Sequence, residues 1–444
     1  MKASGRRLPP TGKLGEASAT LPHLNMHLLR IFRLLASFER PAGEVLHRHF
    51  RAEPRLGRRD RHAIAERVYY MLRHRRRLIH RAEALSPPAG WPASEPWDSS
   101  ARLLEAVLGD PAASVDQGLD DGVAYSLPAW LHQRLQHQYS GDPQAARALY
   151  AALLTPAPLD LRVAVWHPSA APGDSMSGVI ALLAQDGIEA QPCPGLPSAL
   201  RVAGKPALER TRAFAAGLVE VQDAGSQVLA ALLAPRRGQV VVDFCAGAGG
   251  KTLALGAAMR NTGQVFACDV SAPRLARMRP RLQRSGLSNI HPLHIVHEND
   301  PKLFKLIAKA DAVLVDAPCS GSGTLRRNPD LKWRFREKDL LEVVALQARI
   351  LRAAARLVRP GGWLVYASCS LLREENEAQV ESFLGDSPEF VTEALGPILD
   401  ALGVSVGVAA FEERCGLHLW RSDVVRDGCD GFFAVRMRRR PSAR

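Results

Sequence analysis

From residue 240 onward the chain alternates short, unbroken apolar runs with amphipathic stretches, and this pattern limits the fold more than any other feature. The runs are VVVDFC, QVFACD, IHPLHIV, AVLVDAPC and WLVYASC, separated by helix-like segments beginning near 250, 273, 301 and 337. A strand with one wet face alternates apolar and polar residues, whereas a continuous apolar run needs cover on both faces. The expectation is an α/β, Rossmann-like domain: a doubly wound, mostly parallel sheet with helices on each side. In such a sheet ordered 3-2-1-4-5, ligands sit beyond the carboxyl ends of the strands, at the switch between strands 1 and 4.

A chain of 444 residues exceeds what one core organises. Residues 1–21 read as a disordered tail. Leu24, Leu28, Ile31, Leu35 and Phe38 recur at helical spacing, as do Ala63, Ile64, Val68, Met71 and Leu72, so 22–155 is expected to form an all-α domain. A small α/β subdomain is expected over 156–225, and the domain carrying the chemistry over 226–440. No run of eighteen apolar residues occurs, and the first residues have no apolar stretch behind their basic ones. The seven cysteines include no C-x-x-C pair, so neither a disulfide framework nor a metal site is expected. A reduced, cytoplasmic protein without a membrane partner follows as the expectation, and a monomer is the simplest state.

The net charge of +13 is unevenly placed. Residues 51–81 hold eleven arginines against Glu53, Asp60 and Glu66, with Tyr69 and Tyr70 among them. Arginine matches phosphate geometry, so an RNA-like polyanion is the expected partner of this stretch, with a solvated helical face as the alternative. Segment 324–336, TLRRNPDLKWRFR, mixes cations with Trp333 and Phe335. It suits either a bound RNA strand or a loop whose tryptophan packs on the protein.

After the first strand of the sheet comes CAGAGGKT, residues 245–252. A P-loop would require glycine at 245, where cysteine stands, and the dinucleotide pattern G-x-G-x-x-G fails at Thr252. A nucleoside ligand without a polyphosphate remains, and S-adenosylmethionine is the common one. Asp269, at the end of the second strand, can accept from ribose hydroxyls or cap the next helix.

Strands 4 and 5 end in DAPC and ASCS, which places Cys319 and Cys369 over one cleft. Carbon 5 of cytosine does not attack a sulfonium methyl unaided, but a thiolate adding at carbon 6 makes carbon 5 nucleophilic. Removing the carbon 5 proton and expelling the thiol then employ a second acid/base group. Asp316 can hold the base by accepting from its exocyclic amine. Physics does not decide which cysteine attacks.

At these residues the sequence resembles the bacterial RNA (cytosine-5)-methyltransferases of the Sun/NOL1/NOP2 family, through VEVQDAGSQ, DFCAGAGGKT, ACDVSAPRL, VDAPCSGSGTLRRNPDLKWR, LVYASCS and DGFFAVRM. The resemblance implies Cys369 as nucleophile and Cys319 as the group assisting release. It implies donor contacts at Cys245, Ala246, Gly247, Ala248, Gly249, Gly250, Lys251, Asp269 and Asp316, with a further acidic contact at Asp300, for which Asn299 competes. DRHAIAERVYYMLR makes 22–155 similar to a NusB-like RNA-binding domain, which points to 16S ribosomal RNA as the partner carrying the 5-methylcytosine. A transfer RNA methyltransferase and a noncatalytic RNA-binding assembly factor remain as alternatives. Gly247 and Ala248 depart from the family's C-A-A-P-G-G-K, and Ser368 stands for its usual threonine.

Overall fold

The computed structural model describes residues 22–92, 94–109, 118–164, 175–405, 411–414 and 417–441. The expected tail at 1–21 and Cys415 lie outside them. The chain divides into two compact units, one holding the residues up to Pro156 together with Leu325–Glu337, the other Ala157–Thr324 and the chain from Lys338.

The first unit is built from α1 (Pro22–Leu35), α2 (Ala42–Ala52), α3 (Arg58–Ala82), α4 (Ser99–Leu108), α5 (Asp121–Ala124), α6 (Ala129–Gln138) and α7 (Pro143–Leu153). Leu24, Leu28, Ile31 and Leu35 form one buried stripe of α1 and meet Ile64, Val68 and Leu72 of α3 in a single core. Asp98 starts α4 by accepting from the Ala101 amide, and Asp142 starts α7 by accepting from Ala145.

The arginine run divides along α3. Arg51, Arg55, Arg58 and Arg59 are exposed, whereas Arg73, His74 and Arg77 are buried. Arg73 and Arg75 meet the segment Leu325–Glu337, which belongs to this unit although its neighbours in sequence belong to the other. Trp333 donates its indole N–H to the Leu72 carbonyl at 2.8 Å and lies under the Arg75 guanidinium. Lys332 donates to the Arg73 carbonyl, Asp330 accepts from the Ala42 amide, and Phe335 packs against Trp130. Of the two readings of this segment, the tryptophan packed on the protein is the one observed.

The second unit holds two sheets. The smaller comprises β1 (Leu159–Val163), β2 (Ala190–Pro192), β3 (Ala199–Val202) and β4 (Val219–Val221), antiparallel in the order β2-β3-β1-β4. The larger contains β5 (Val240–Asp243), β6 (Gln264–Asp269), β7 (Ile290–His294), β8 (Ala310–Asp316) and β9 (Val358–Ser368). Its order, β7-β6-β5-β8-β9, is the expected 3-2-1-4-5, and every pair in it is parallel. Four antiparallel strands extend it: β10 (Phe390–Thr392), β11 (Phe411–Arg414), β12 (Leu417–Arg421) and β13 (Phe433–Arg439), with β13 paired to β9. Both faces are covered. Val242, Val313 and Leu364 lie in one core with Leu351 and Ala354 of the helix Glu337–Ala355, while Val241, Leu314 and Val365 lie in another with Leu253 of the helix Gly250–Ala258 and Met278 of Ala272–Ser285.

Candidate active site

β8 and β9 run parallel with Asp316 opposite Ala367, so Cys319 and Cys369 leave the sheet three and two residues beyond paired positions. The loop after β8 turns back over β9, because the Gly323 amide donates to the Cys369 carbonyl at 2.9 Å. Only glycine fits there: a Cβ at Gly323 would stand 1.9 Å from the Gly431 carbonyl oxygen. These ties bring the two sulfurs to 3.2 Å.

A buried acid holds both loops. Glu375 accepts from the Ser320 amide at 2.7 Å, the Ser320 hydroxyl at 2.6 Å, the Ser370 hydroxyl and the Gln347 amide at 3.1 Å. Ser320 follows Cys319 and Ser370 follows Cys369, so one carboxylate fixes the residue after each thiol. Nothing in the segment REENE singles out Glu375 from the acids beside it. Tyr366 adds a hydrogen bond to its carbonyl, and Asn376 accepts from Ser368 while donating to the Ser370 carbonyl.

The two thiols differ electrically. Its hydrogen bond with Cys369, then burial, then the charge of Cys369 push the Cys319 thiol well above the usual range. Beside an ionised Cys369, Cys319 therefore keeps its proton. The α-helix behind Cys369 begins at Glu377. The nearby cation is Lys251, whose ammonium lies 2.7 Å from Asp316. Burial pulls this lysine down, but Asp316 and, when ionised, Cys369 outweigh it and hold it above its ordinary range.

The glycine loop leads from β5 into the helix Gly250–Ala258 through Gly249, at φ 88°, where a Cβ would meet Met278 at 2.5 Å. Gly247 has φ 56° and open space where a Cβ would stand, leaving a concave backbone. The Ala246 amide donates to the Cys268 carbonyl, and the Ala248 carbonyl accepts from Arg281. Burial pushes the Cys245 thiol well up, so it serves as a neutral wall. Asp269 ties the loop to β6, one oxygen accepting from the Gly247 amide at 2.8 Å and the other from Ser271 at 2.7 Å. Ser271, not Asp269, caps the next helix.

Asp300 sits in the loop after β7, and its oxygens accept from the Val296 and Lys302 amides at 2.9 Å. These bonds hold its carboxyl below the ordinary range. Asn299 accepts from Arg356 instead. Asp243, which the sequence reading passed over, ends β5 beneath the loop. Thr252 donates to one of its oxygens, the other is buried without a partner among the described residues, and burial pushes the acid up to about 7.

The open glycine backbone, with Asp269 tied to it and Asp243 beneath it, suits a ligand bearing hydroxyls and an ammonium, as S-adenosylmethionine does. A 3-2-1-4-5 sheet with this loop defines a Rossmann-like, S-adenosylmethionine-dependent methyltransferase domain.

Residues 230–438 match the family model described as 16S rRNA methyltransferase RsmB/F, and residues 127–209 match the RsmF/B-like, ferredoxin-like domain. Residues 230–438 thus match the RsmB/F family, and the curated relatives that follow are similar over part of the chain. Ribosomal RNA small subunit methyltransferase B of Salmonella arizonae and of Salmonella typhi are each 37% identical over 265 residues, 59% of this chain and 58% of theirs. The match thus spans under two thirds of those relatives. Among solved structures, PH0851 has a TM-score of 0.75 at 24% identity, covering 94% of this chain and 99% of its own. NSun6 from Pyrococcus horikoshii, solved with SFG, has a TM-score of 0.60 at 21% identity, covering 70% and 98%. At these identities the two structures bear on the fold. Among the described residues no helix is long and apolar enough to cross a membrane, and no cluster of three or more His, Cys, Asp or Glu could hold a metal.

Proposed function

We propose that this protein methylates carbon 5 of a cytosine in RNA, with 16S ribosomal RNA in the cytoplasm as the substrate, through a covalent adduct between Cys369 and carbon 6. The observation that carries the reading is the 3.2 Å approach of two thiols, one of them held protonated, beside the Lys251–Asp316 pair. When bound, S-adenosylmethionine supplies an electrophilic methyl group. The glycine loop, Asp269 and Asp243 would hold it.

Asp316 accepts from the cytosine's exocyclic amine, and the Lys251 ammonium faces the charge of the attacking Cys369 thiolate. The Cys369 sulfur then forms a bond to carbon 6, and the ring electrons displaced by it reach carbon 5. Cys369 in the adduct is a neutral thioether. The hydrogen bond and the charge that kept Cys319 protonated are both gone, so its acidity rises at this stage. Cys319 then gives its proton to solvent and, once the methyl group is on carbon 5, takes the carbon 5 proton as a thiolate; the bond between carbon 6 and the Cys369 sulfur breaks, and Cys369 leaves with the bonding pair.

The test is to map 5-methylcytosine across cellular RNA with and without the gene, and again with Cys369→Ala restored. One 16S position should lose its methyl group in the deletion and stay unmodified in the variant. A methylated position in cells carrying only Cys369→Ala would overturn the assignment, and loss confined to transfer RNA would move the substrate there.

A further inference from the structure

In the first unit, between α6 and α7, lies a cleft of about 250 Å³ whose walls include Asp121, His132, Gln136, Tyr139, Ser140 and Tyr150. It has no part in the chemistry described above. Tyr150 is 1% exposed, and its hydroxyl has no hydrogen-bond partner among the described residues. A buried hydroxyl left unpaired costs about 1–3 kcal/mol, so such groups are kept where something else satisfies them. The cleft is several times the volume of one water, about 30 Å³.

Its chemistry is selective. His132 stands edge-on to Tyr150 at 5.6 Å, and Tyr125 packs behind at 5.7 Å, so one wall is aromatic. Gln136 offers an amide donor and acceptor, Asp121 an acceptor, and Tyr150 a hydroxyl that does either. Planar faces combined with mixed donors and acceptors suit a heteroaromatic ring with polar edges, which is a nucleobase. Beside it, Arg147 donates to Asp121 through Nε at 2.9 Å while its side chain remains 61% exposed, within reach of a phosphate.

The structure assigns this cleft as an accessory nucleobase pocket, which takes one unstacked nucleotide of bound RNA away from the cytosine that reacts; it rests on the reading that RNA is the partner. The probes are AMP, GMP, CMP and UMP, titrated calorimetrically into the full chain with S-adenosylhomocysteine added to fill the donor cleft. At least one should bind in the millimolar range or tighter, and Tyr150→Phe, which preserves shape, should weaken it about tenfold. Gln136→Ala should do the same, both with melting midpoints near wild type. No binding of any of the four up to about 10 mM, or wild-type affinity in Tyr150→Phe, would overturn the proposal. Nucleotide binding sensitive to Tyr150→Phe in a protein that transfers no methyl group would keep the pocket and reject the enzymatic reading. Methyl transfer without nucleotide binding would do the reverse.

Discussion

Glu375 offers a graded test of how the two thiols are held. In Glu375→Gln the remaining carbonyl oxygen can keep the Ser320 and Gln347 N–H donors, which cannot turn round, while the new amide nitrogen faces two hydroxyls that can rotate to accept. Two charge-assisted bonds become neutral and lengthen by a few tenths of an ångström, a loss of about 1 kcal/mol each, partly offset because no charge is buried. Glu375→Ala instead strands the Ser320 amide and frees both loops. A misplacement of about 1 Å costs on the order of 10²-fold in rate. Single-turnover transfer of labelled methyl to 16S transcript should therefore fall a few-fold in the glutamine variant and about 100-fold in the alanine variant. Binding of S-adenosylhomocysteine should be unchanged in both, because the glycine loop does not touch this network. An alanine variant within twofold of wild type in rate, or one whose defect is confined to donor binding, would refute the assignment of Glu375 as the positioning residue.

Cys319→Ala should accumulate a denaturation-resistant RNA adduct that is absent in the Cys319→Ala, Cys369→Ala double variant; an adduct surviving in the double variant would reassign the nucleophile. Lys332 is buried and its amine is pulled down to about 7 by burial and by Arg73, from an ordinary 10.5. Between those values the unfolded chain holds a proton that the folded chain lacks, so folding gains up to about 1.4 kcal/mol per pH unit as pH rises, and the penalty is full below about 7. Lys332→Met should thus raise the melting midpoint most near pH 7, with the gap closing toward pH 10; an equal gap at both would contradict the burial argument. Gly249→Ala adds a Cβ 2.5 Å from Met278 at φ 88° and should cost about 2–4 kcal/mol in stability along with measurable affinity for S-adenosylhomocysteine. Calorimetry and melting would both have to match wild type to reject it.

The parallel sheet was legible because its strands are buried on both faces and therefore cannot alternate; Val241, Val242, Val313 and Leu314 are fully buried. The meeting of Cys319 with Cys369 followed from strand order alone. Asp300 shows the limit of such reading, since its position after a strand did not reveal that both its oxygens accept from amides of its own turn. Trp333 shows another. Cations beside an aromatic ring are the composition of an RNA-stacking loop and equally of a plug, and the deciding partner, the Leu72 carbonyl, lies 261 positions away. Half of the arginine run went the same way: Arg73 donates to the Arg326 carbonyl rather than facing solvent.

Leu325–Glu337 also bears on how the chain is made. A ribosome delivers the amino end first, and the leading domain of a protein generally closes while the remainder is still being synthesised. Here the leading helices must wait for a piece encoded after the small sheet and four strands of the large one, β5 to β8, have already emerged. Until Trp333 arrives, the Leu72 carbonyl lacks the indole N–H and the Phe38 ring its aromatic neighbour, so completion of the first unit is postponed to the middle of the second.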